Sequence, residues 1–264
     1  PLYSLYKGLT AIRLAERLEA LLKRPVLPIF WVASEDHDWD EAGHTYLINT
    51  SNELVRLQVE DPVHGKRSLH RIILEKELEK AVSQAIRVFP TTDFSASYID
   101  LLRDCYNSGS TLADGFHGLL GRLLEPLGIL FADAAGAPLK EASRPVLLSE
   151  LNNAEVHEEL LNSTLGKIQS AGFSGQVPIL EGGVNLFLEG PRGRERLYRK
   201  GDGFELHRSG EMVSGEEVRQ RSLRDPCALS PNVLLRPIVE SAVFPVVSYV
   251  GGPGEMAYYG QIRP

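Results

Sequence analysis

Cysteine is nearly absent: Cys105 and Cys227 are the two in 264 residues, and they form neither a CxxC pair nor a Cys/His metal spacing. They read as ordinary reduced thiols, which favours a reducing compartment. Long apolar runs are missing as well. No window approaches the roughly 18 consecutive apolar residues of a membrane span, so no transmembrane helix and no membrane partner are expected. Basic charge is also scarce. The formal net charge is -7, whereas a surface for a nucleic-acid backbone needs clustered Lys and Arg, so no nucleic acid is expected. The densest basic run, GPRGRERLYRK at residues 190–200, alternates with Leu197 and Tyr198 and reads as a solvated hairpin rather than an anion site. The chain has no GxSxG, Walker loop or complete GxGxxG, and no internal repeat or low-complexity segment.

What is present is a repeated order of helix, strand and acid. SLYKGLTAIRLAERLEALL places Leu5, Leu9, Ile12, Leu18 and Leu22 at helical rhythm. RPVLPIFWVAS follows, β-branched and aromatic with no polar face, as in a strand buried on both sides of a parallel sheet. Helical patterns at 75–89, 94–106 and 111–124 lead into GILFAD, a second short apolar strand that ends in an acid. Between them TYLIN and ELVRLQV, separated by TSN, predict a hairpin. A long helix is expected from 139 to about 170. QVPIL, VNLFLEG, ERLYRK and FELHR then read as short strands of an antiparallel meander. Helix returns at 214–223 and in SPNVLLRPIVESAVF, before a last strand, PVVSYV. The pattern predicts an α/β fold, a Rossmann-like doubly wound and mostly parallel sheet. Its core spans 1–264 and is incomplete at both ends, with insertions at about 45–125 (hairpin and helices) and 174–210 (small antiparallel β meander).

The stretch WVASEDHDWDEAGH concentrates Glu35, Asp36, Asp38, Asp40 and Glu41 around His37 and His44. It lies just past the end of a buried strand, where open α/β sheets bind ligands. Three readings stay open. His37 beside Asp36 or Asp38 suits general acid–base work, since a carboxylate orients the imidazole and raises its pKa. His37, Glu41 and His44 offer metal donors, although not at HExxH spacing. The third is a solvated acidic loop, in which Asp38 and Glu41 serve as a capping box. Gly43 and the strand-like TYLIN limit any helix here to a turn or two.

Three further segments carry candidate groups. YVGGPGEMAYYGQ allows close backbone approach at Gly251, Gly252 and Gly254 and enters a helix near Glu255. A helix start attracts anions, but Glu255 can take those donors itself and instead hold an ammonium or hydroxyl group. In SPNVLLRPIVES, Pro237 suits the first helical position, leaving Ser230, Asn232 and Arg236 in the loop ahead. Arg236 can grip a carboxylate or phosphate through two parallel bonds, or serve a structural ion pair. PLYSLYK offers Tyr3 and Lys7 at a helix entry, with Lys7 facing an anion or water. Cys105, Cys227 and the remaining histidines read as structural.

The segments PLYSLYKGLTAI, FWVASEDHDWDEAGH, SPNVLLRPIVE and YVGGPGEMAYYGQ, in this order, resemble the BshC family, the cysteine-adding enzymes of bacillithiol biosynthesis, over essentially the whole chain. The resemblance implies a cytoplasmic bacterial enzyme with a Rossmann-like core, connecting-peptide insertions and a coiled coil for homodimerisation. It implies a ligase that joins the cysteine carboxylate to the amine of glucosaminyl-malate. Such a carboxylate needs activation, usually by ATP, so ATP or ADP is expected and no metal. His37, Asp36 and His44 would line the catalytic crevice. Tyr3, Lys7, Asn232, Arg236, Gly251, Gly252, Gly254 and Glu255 would bind substrate. The family carries a TGQQ-type loop ahead of the segment like PLYSLYK, and its coiled coil is completed beyond the position of Pro264; the excerpt is therefore expected to be an incomplete catalyst. Gly43 stands where the family commonly has Asn before the histidine matching His44.

Overall fold

The computed structural model describes residues 2–63 and 65–262; Pro1, which opens PLYSLYK, and His64, Arg263 and Pro264 lie outside the described residues. Two compact units, Pro1–Ala134 and Ala135–Pro264, divide the chain.

The first unit runs α1 (Leu2–Leu22), β1 (Ile29–Val32), α2 (Trp39–Ala42), β2 (His44–Ile48), β3 (Leu54–Gln58), α3 (Lys76–Val88), α4 (Ser95–Cys105), α5 (Leu112–Leu124) and β4 (Leu130–Asp133). α1 buries Ser4, Gly8, Ile12 and Ala15, while Leu9 and Leu22 of the expected leucine row are exposed. Small residues decide that face because they let the helix come close. A Cβ on Gly8 would sit 2.7 Å from Leu124 Cδ1. α5 starts on a capping box between Thr111 and Asp114, a reciprocal pairing that satisfies two otherwise orphaned donors. Its Leu120 and Leu124 pack with Ile12 and Ile129, each burial contributing about 1.5–3 kcal/mol. β1 and β4 pair in parallel, and Phe30 stacks on Phe131 at 5.4 Å between centroids. β2 and β3 form an antiparallel hairpin whose turn holds Asn52 at φ 61°, a conformation asparagine tolerates better than most residues. Trp39, Val59, Ile72, Leu74 and Leu78 make a second core.

The second unit contains α6 (Ala137–Ser170), β5 (Gly183–Gly190), β6 (Gly193–Lys200), β7 (Gly203–Leu206), β8 (Met212–Val213), α7 (Gly215–Arg224), β9 (Leu229–Pro231), α8 (Arg236–Val243) and α9 (Pro253–Gln261). Its sheet has the order β8-β7-β6-β5-β9 and is antiparallel throughout, so among the described residues parallel pairing is confined to β1 and β4. Val184, Leu186 and Leu188 are fully buried and join Leu147 and Leu151 of α6 and Val239 of α8 in the core. Alternate residues of β5 supply these side chains because successive residues of a strand point to opposite faces.

Several expectations are corrected. QVPIL is not a strand; Gln261 instead takes the place of a neighbouring strand, its Oε1 accepting Val177 N–H and its Nε2 donating to Val177 O, both at 2.8 Å. PVVSYV is also irregular, with Val246 and Val247 exposed. Pro245 lacks a donor for a ladder, and the Val246 N–H turns back to Phe244 O. The run at 190–200 is no solvated hairpin: β6 is interior to the sheet, and Arg194 and Glu195 are buried. Glu195 accepts backbone N–H groups from Arg192, Arg208 and Ser209, which compensates its burial. Ser230 lies in β9 and Arg236 begins α8, with Pro237 one position later than expected.

Candidate functional site

In the first unit, the parallel register sets Val32 opposite Asp133, so the carboxyl ends of β1 and β4 finish side by side. The chain beyond β1 turns Ser34 and Glu35 inward, each 2% exposed, leaves Asp36 and His37 half-buried, and exposes Asp38, Asp40 and Glu41. The Ser34 hydroxyl donates to the Asp133 carboxylate. A short helical turn at Leu69–Arg71 lies against this segment. Leu69 N–H donates to Asp36 O at 2.7 Å, and His70 N–H donates to Ser34 O at 3.0 Å. His70 Nδ1 stands 3.3 Å from the same oxygen. In the neutral ring, Nδ1–H donating there leaves the lone pair on Nε2.

Asp38 precedes α2, but no side-chain cap forms, so the Asp38–Glu41 capping box is absent. α2 is a single turn, closed where Gly43 N–H meets Trp39 O at 2.7 Å. The Trp39 indole donates to Val59 O at 3.1 Å. His44 opens β2 and meets the Tyr46 ring edge-on at 5.7 Å. His37 and His44 thus flank α2 rather than sharing a helical face. Among the described residues no group of three or more His, Cys, Asp or Glu is arranged to hold a metal ion. On α1, Lys7 Nζ stands 5.7 Å above the exposed Tyr3 ring.

The second unit carries the other candidates. At the start of α9, Glu255 Oε2 accepts Gly252 N–H at 2.5 Å, and Oε1 accepts the Tyr249 hydroxyl at 3.3 Å. That helix start therefore presents a carboxylate and a phenol, which suits an amine or hydroxyl better than a phosphate. Gly251 fits this packing closely: a Cβ there would lie 3.1 Å from the Tyr249 ring and 3.2 Å from Glu255 Cβ, tight enough to push against both. Gly254 is exposed. Burial first, then the Glu240 and Glu255 carboxylates, holds the Tyr249 phenol well above its ordinary range. Tyr259, its ring tilted against Tyr249 at 4.7 Å between centroids, is raised by burial and then by Glu240. Asn232 is 3% exposed; its Oδ1 accepts Leu234 and Leu235 N–H at 3.0 Å each, and its Nδ2 donates to Asn185 Oδ1 at 2.8 Å. Its side chain is committed to the turn. Arg236 is half-buried, its N–H donating to Asn232 O at 3.0 Å.

Sequence reasoning brought Asp36 and His37 to the strand end but missed Ser34, His70 and Asp133 as their neighbours. Asp133 had a signal, an acid closing an apolar strand. His70 had none, since its partner lies 36 residues away.

A parallel strand pair flanked by helices, with an acid- and histidine-rich segment at its carboxyl end, defines an α/β domain of the Rossmann-like class. The chain belongs to the BshC family: the model for "Bacillithiol biosynthesis BshC, N-terminal Rossmann-like domain" matches residues 1–264. A relative from Oceanobacillus iheyensis is 29% identical over 268 residues, covering 100% of this chain and 49% of its own length. One from Salinibacter ruber is 30% identical over 263 residues (99% and 48%), and one from Heliobacterium modesticaldum 30% over 265 (100% and 48%). Each bears the name "Putative cysteine ligase BshC". The chain spans about half the length of these curated relatives.

Proposed function

We propose that this chain is the Rossmann-like part of a cysteine-adding ligase that joins the cysteine carboxylate to the amine of glucosaminyl-malate. Membership of the family and the name of its relatives support the reaction class. The observation that carries the site is the half-buried Asp36–His37 pair of residues at the carboxyl ends of β1 and β4, held in place by Ser34 on Asp133 and by the 69–71 turn.

Amide formation requires the attacking amine to lose a proton as its nitrogen bonds to the acyl carbon. His37 takes that proton, Asp36 orients the ring, and His44 supports charge developing on the leaving group. Arg236 and Lys7 hold carboxylate or phosphate oxygens. The Tyr3 hydroxyl bonds substrate, and Glu255 receives an ammonium or hydroxyl group on a loop that Gly251, Gly252 and Gly254 keep close. The carboxylate is activated by a nucleotide co-substrate, ATP converted to AMP or ADP. The full protein works as a cytoplasmic homodimer.

The test is to incubate the full chain with cysteine, glucosaminyl-malate and each nucleoside triphosphate in turn, reading amide product and AMP or ADP by mass spectrometry. Product with one nucleotide, lost in His37→Ala with an unchanged circular dichroism spectrum, is the expected result. Undiminished turnover by His37→Ala removes the assignment of the base.

A further inference from the structure

We propose that Glu150, Asn185 and Asn232 are positioning residues for Arg236, forming a one-directional hydrogen-bonded chain that fixes the first turn of α8. The inference rests on the reading of Arg236 as a substrate-binding group.

Each amide link has one possible polarity. Asn232 Oδ1 faces two backbone N–H groups, of Leu234 and Leu235, so that atom must be the oxygen and its Nδ2 must donate. Nδ2 meets Asn185 Oδ1 at 2.8 Å, which fixes the second amide: Asn185 Nδ2 must donate in turn. It does so to Glu150 Oε1 at 3.0 Å, beside Asn185 N–H on the same oxygen at 2.9 Å. Glu150 Oε2 is met by His157 Nδ1 at 2.5 Å. The Glu150 side chain, 2% exposed, thus meets Asn185 N–H, Asn185 Nδ2 and His157 Nδ1, and the oxygen that it turns to Asn185 agrees with the polarity set at Asn232.

The other end of the chain is the turn that delivers Arg236. Asn232 N–H donates to Asn185 O at 2.9 Å, continuing the β5–β9 ladder one residue beyond the Leu186–Pro231 pair. Asn232 O then accepts Arg236 N–H. Asn232 therefore holds residues 234, 235 and 236 at once, and Asn185 holds Asn232. The far end is anchored in α6, whose helical geometry breaks at Asn153 (φ -120°, ψ 19°), between Glu150 and His157.

Asn185→Leu removes both amide links and leaves Glu150 and Asn232 with buried polar atoms to satisfy. In the full chain, KM for the substrate whose KM is raised by Arg236→Ala should rise about tenfold with kcat within about twofold, the signature of lost uniform binding. Hydrogen exchange at residues 234–236 should quicken. Glu150→Ala removes the acceptor of Asn185 and should raise the same KM, whereas Glu150→Gln, which keeps an oxygen for Asn185, should bring it back to within about twofold of wild type. Should Asn185→Leu not fold, Asn185→Thr, β-branched and suited to a strand, replaces it. The deciding experiment is the cycle with Arg236→Ala. If the chain acts through Arg236, adding Asn185→Leu to Arg236→Ala changes KM no further. If Arg236→Ala raises KM and the two effects simply multiply, the positioning role is overturned while the reading of Arg236 stands. An unchanged KM in Arg236→Ala overturns that reading and this inference together.

Discussion

Ser34 and Asp133 lie 99 positions apart in the chain, yet the serine hydroxyl donates directly to the aspartate carboxylate, tying the segment beyond β1 to the end of β4. A hydrogen bond to a charged group contributes about 1.5–3 kcal/mol, and Ser34 is almost fully buried. Ser34→Ala should lower unfolding free energy by about that amount in urea titration. A loss within measurement error would show that the tie does not hold the strand ends together.

Gly43 is constrained by contact rather than by backbone angle. Its φ is -79°, open to any residue, but a Cβ would stand 2.6 Å from Trp39 Nε1 and 2.8 Å from Trp39 O. Gly43→Asn must therefore displace Trp39 from Val59 O. The expected cost is about 1–3 kcal/mol, with a shift in Trp39 fluorescence. A variant as stable as wild type with an unmoved emission maximum would contradict the account.

Glu255 closes the first turn of α9 through Gly252 N–H. Glu255→Ala should cost about 0.5–2 kcal/mol in thermal melts, as for loss of a helix-capping side chain. Glu255→Gln keeps an oxygen for that donor and should cost less. Equal losses in both variants would show that charge, not the bond, matters at this position.

Alkaline pH should destabilise the fold. Burial, followed by the neighbouring Cys105, pushes Tyr106 from 10.0 up to about 12, and Tyr249 is raised as well. Above about pH 10 the unfolded chain releases phenol protons that the folded chain retains, so the free energy of unfolding falls as pH rises. For Tyr106 the window runs from 10.0 to about 12. The slope is about 1.4 kcal/mol per pH unit for each proton retained. Urea midpoints should therefore begin to fall above pH 9.0, where the unfolded chain loses the Cys105 proton that burial retains in the fold, and fall more steeply above pH 10.0. Tyr106→Phe should remove part of the slope, and an unaltered slope would refute its share.

Much of the fold was legible where the local pattern is wholly apolar or alternates. The apolar IFWV and LFAD runs became β1 and β4, and the alternation in VNLFLEG became β5. Legibility failed where a side chain replaced a backbone partner. Gln261 pairs with Val177 as a strand would, so a β-like sequence stayed outside any sheet. It failed again at β6, where charge suggested water. Arg194 stays buried because its Nε donates to Ser230 Oγ at 2.8 Å, its Nη2 donates to Pro231 O at 2.8 Å, and it stacks on Phe187 at 4.0 Å. The partners come from other strands, which no local pattern announces.

The sequence by itself determined the class: helices before two apolar strands, an acid-rich segment after the first, and a glycine-rich helix start near the end. Those features depend on periodicity and composition within a few turns of chain, where local sterics and hydrophobic burial act. Tertiary structure alone decided which groups those segments meet. It placed Ser34 on Asp133 and His70 on the Ser34 carbonyl, turned Asn232 from a ligand contact into the keeper of a turn, and filled the α9 start with Glu255. Buried polar groups must find partners wherever the fold brings them, and the hydroxyl–carboxylate, imidazole–carbonyl and amide–amide partners here lie 99, 36 and 47 positions apart in the chain.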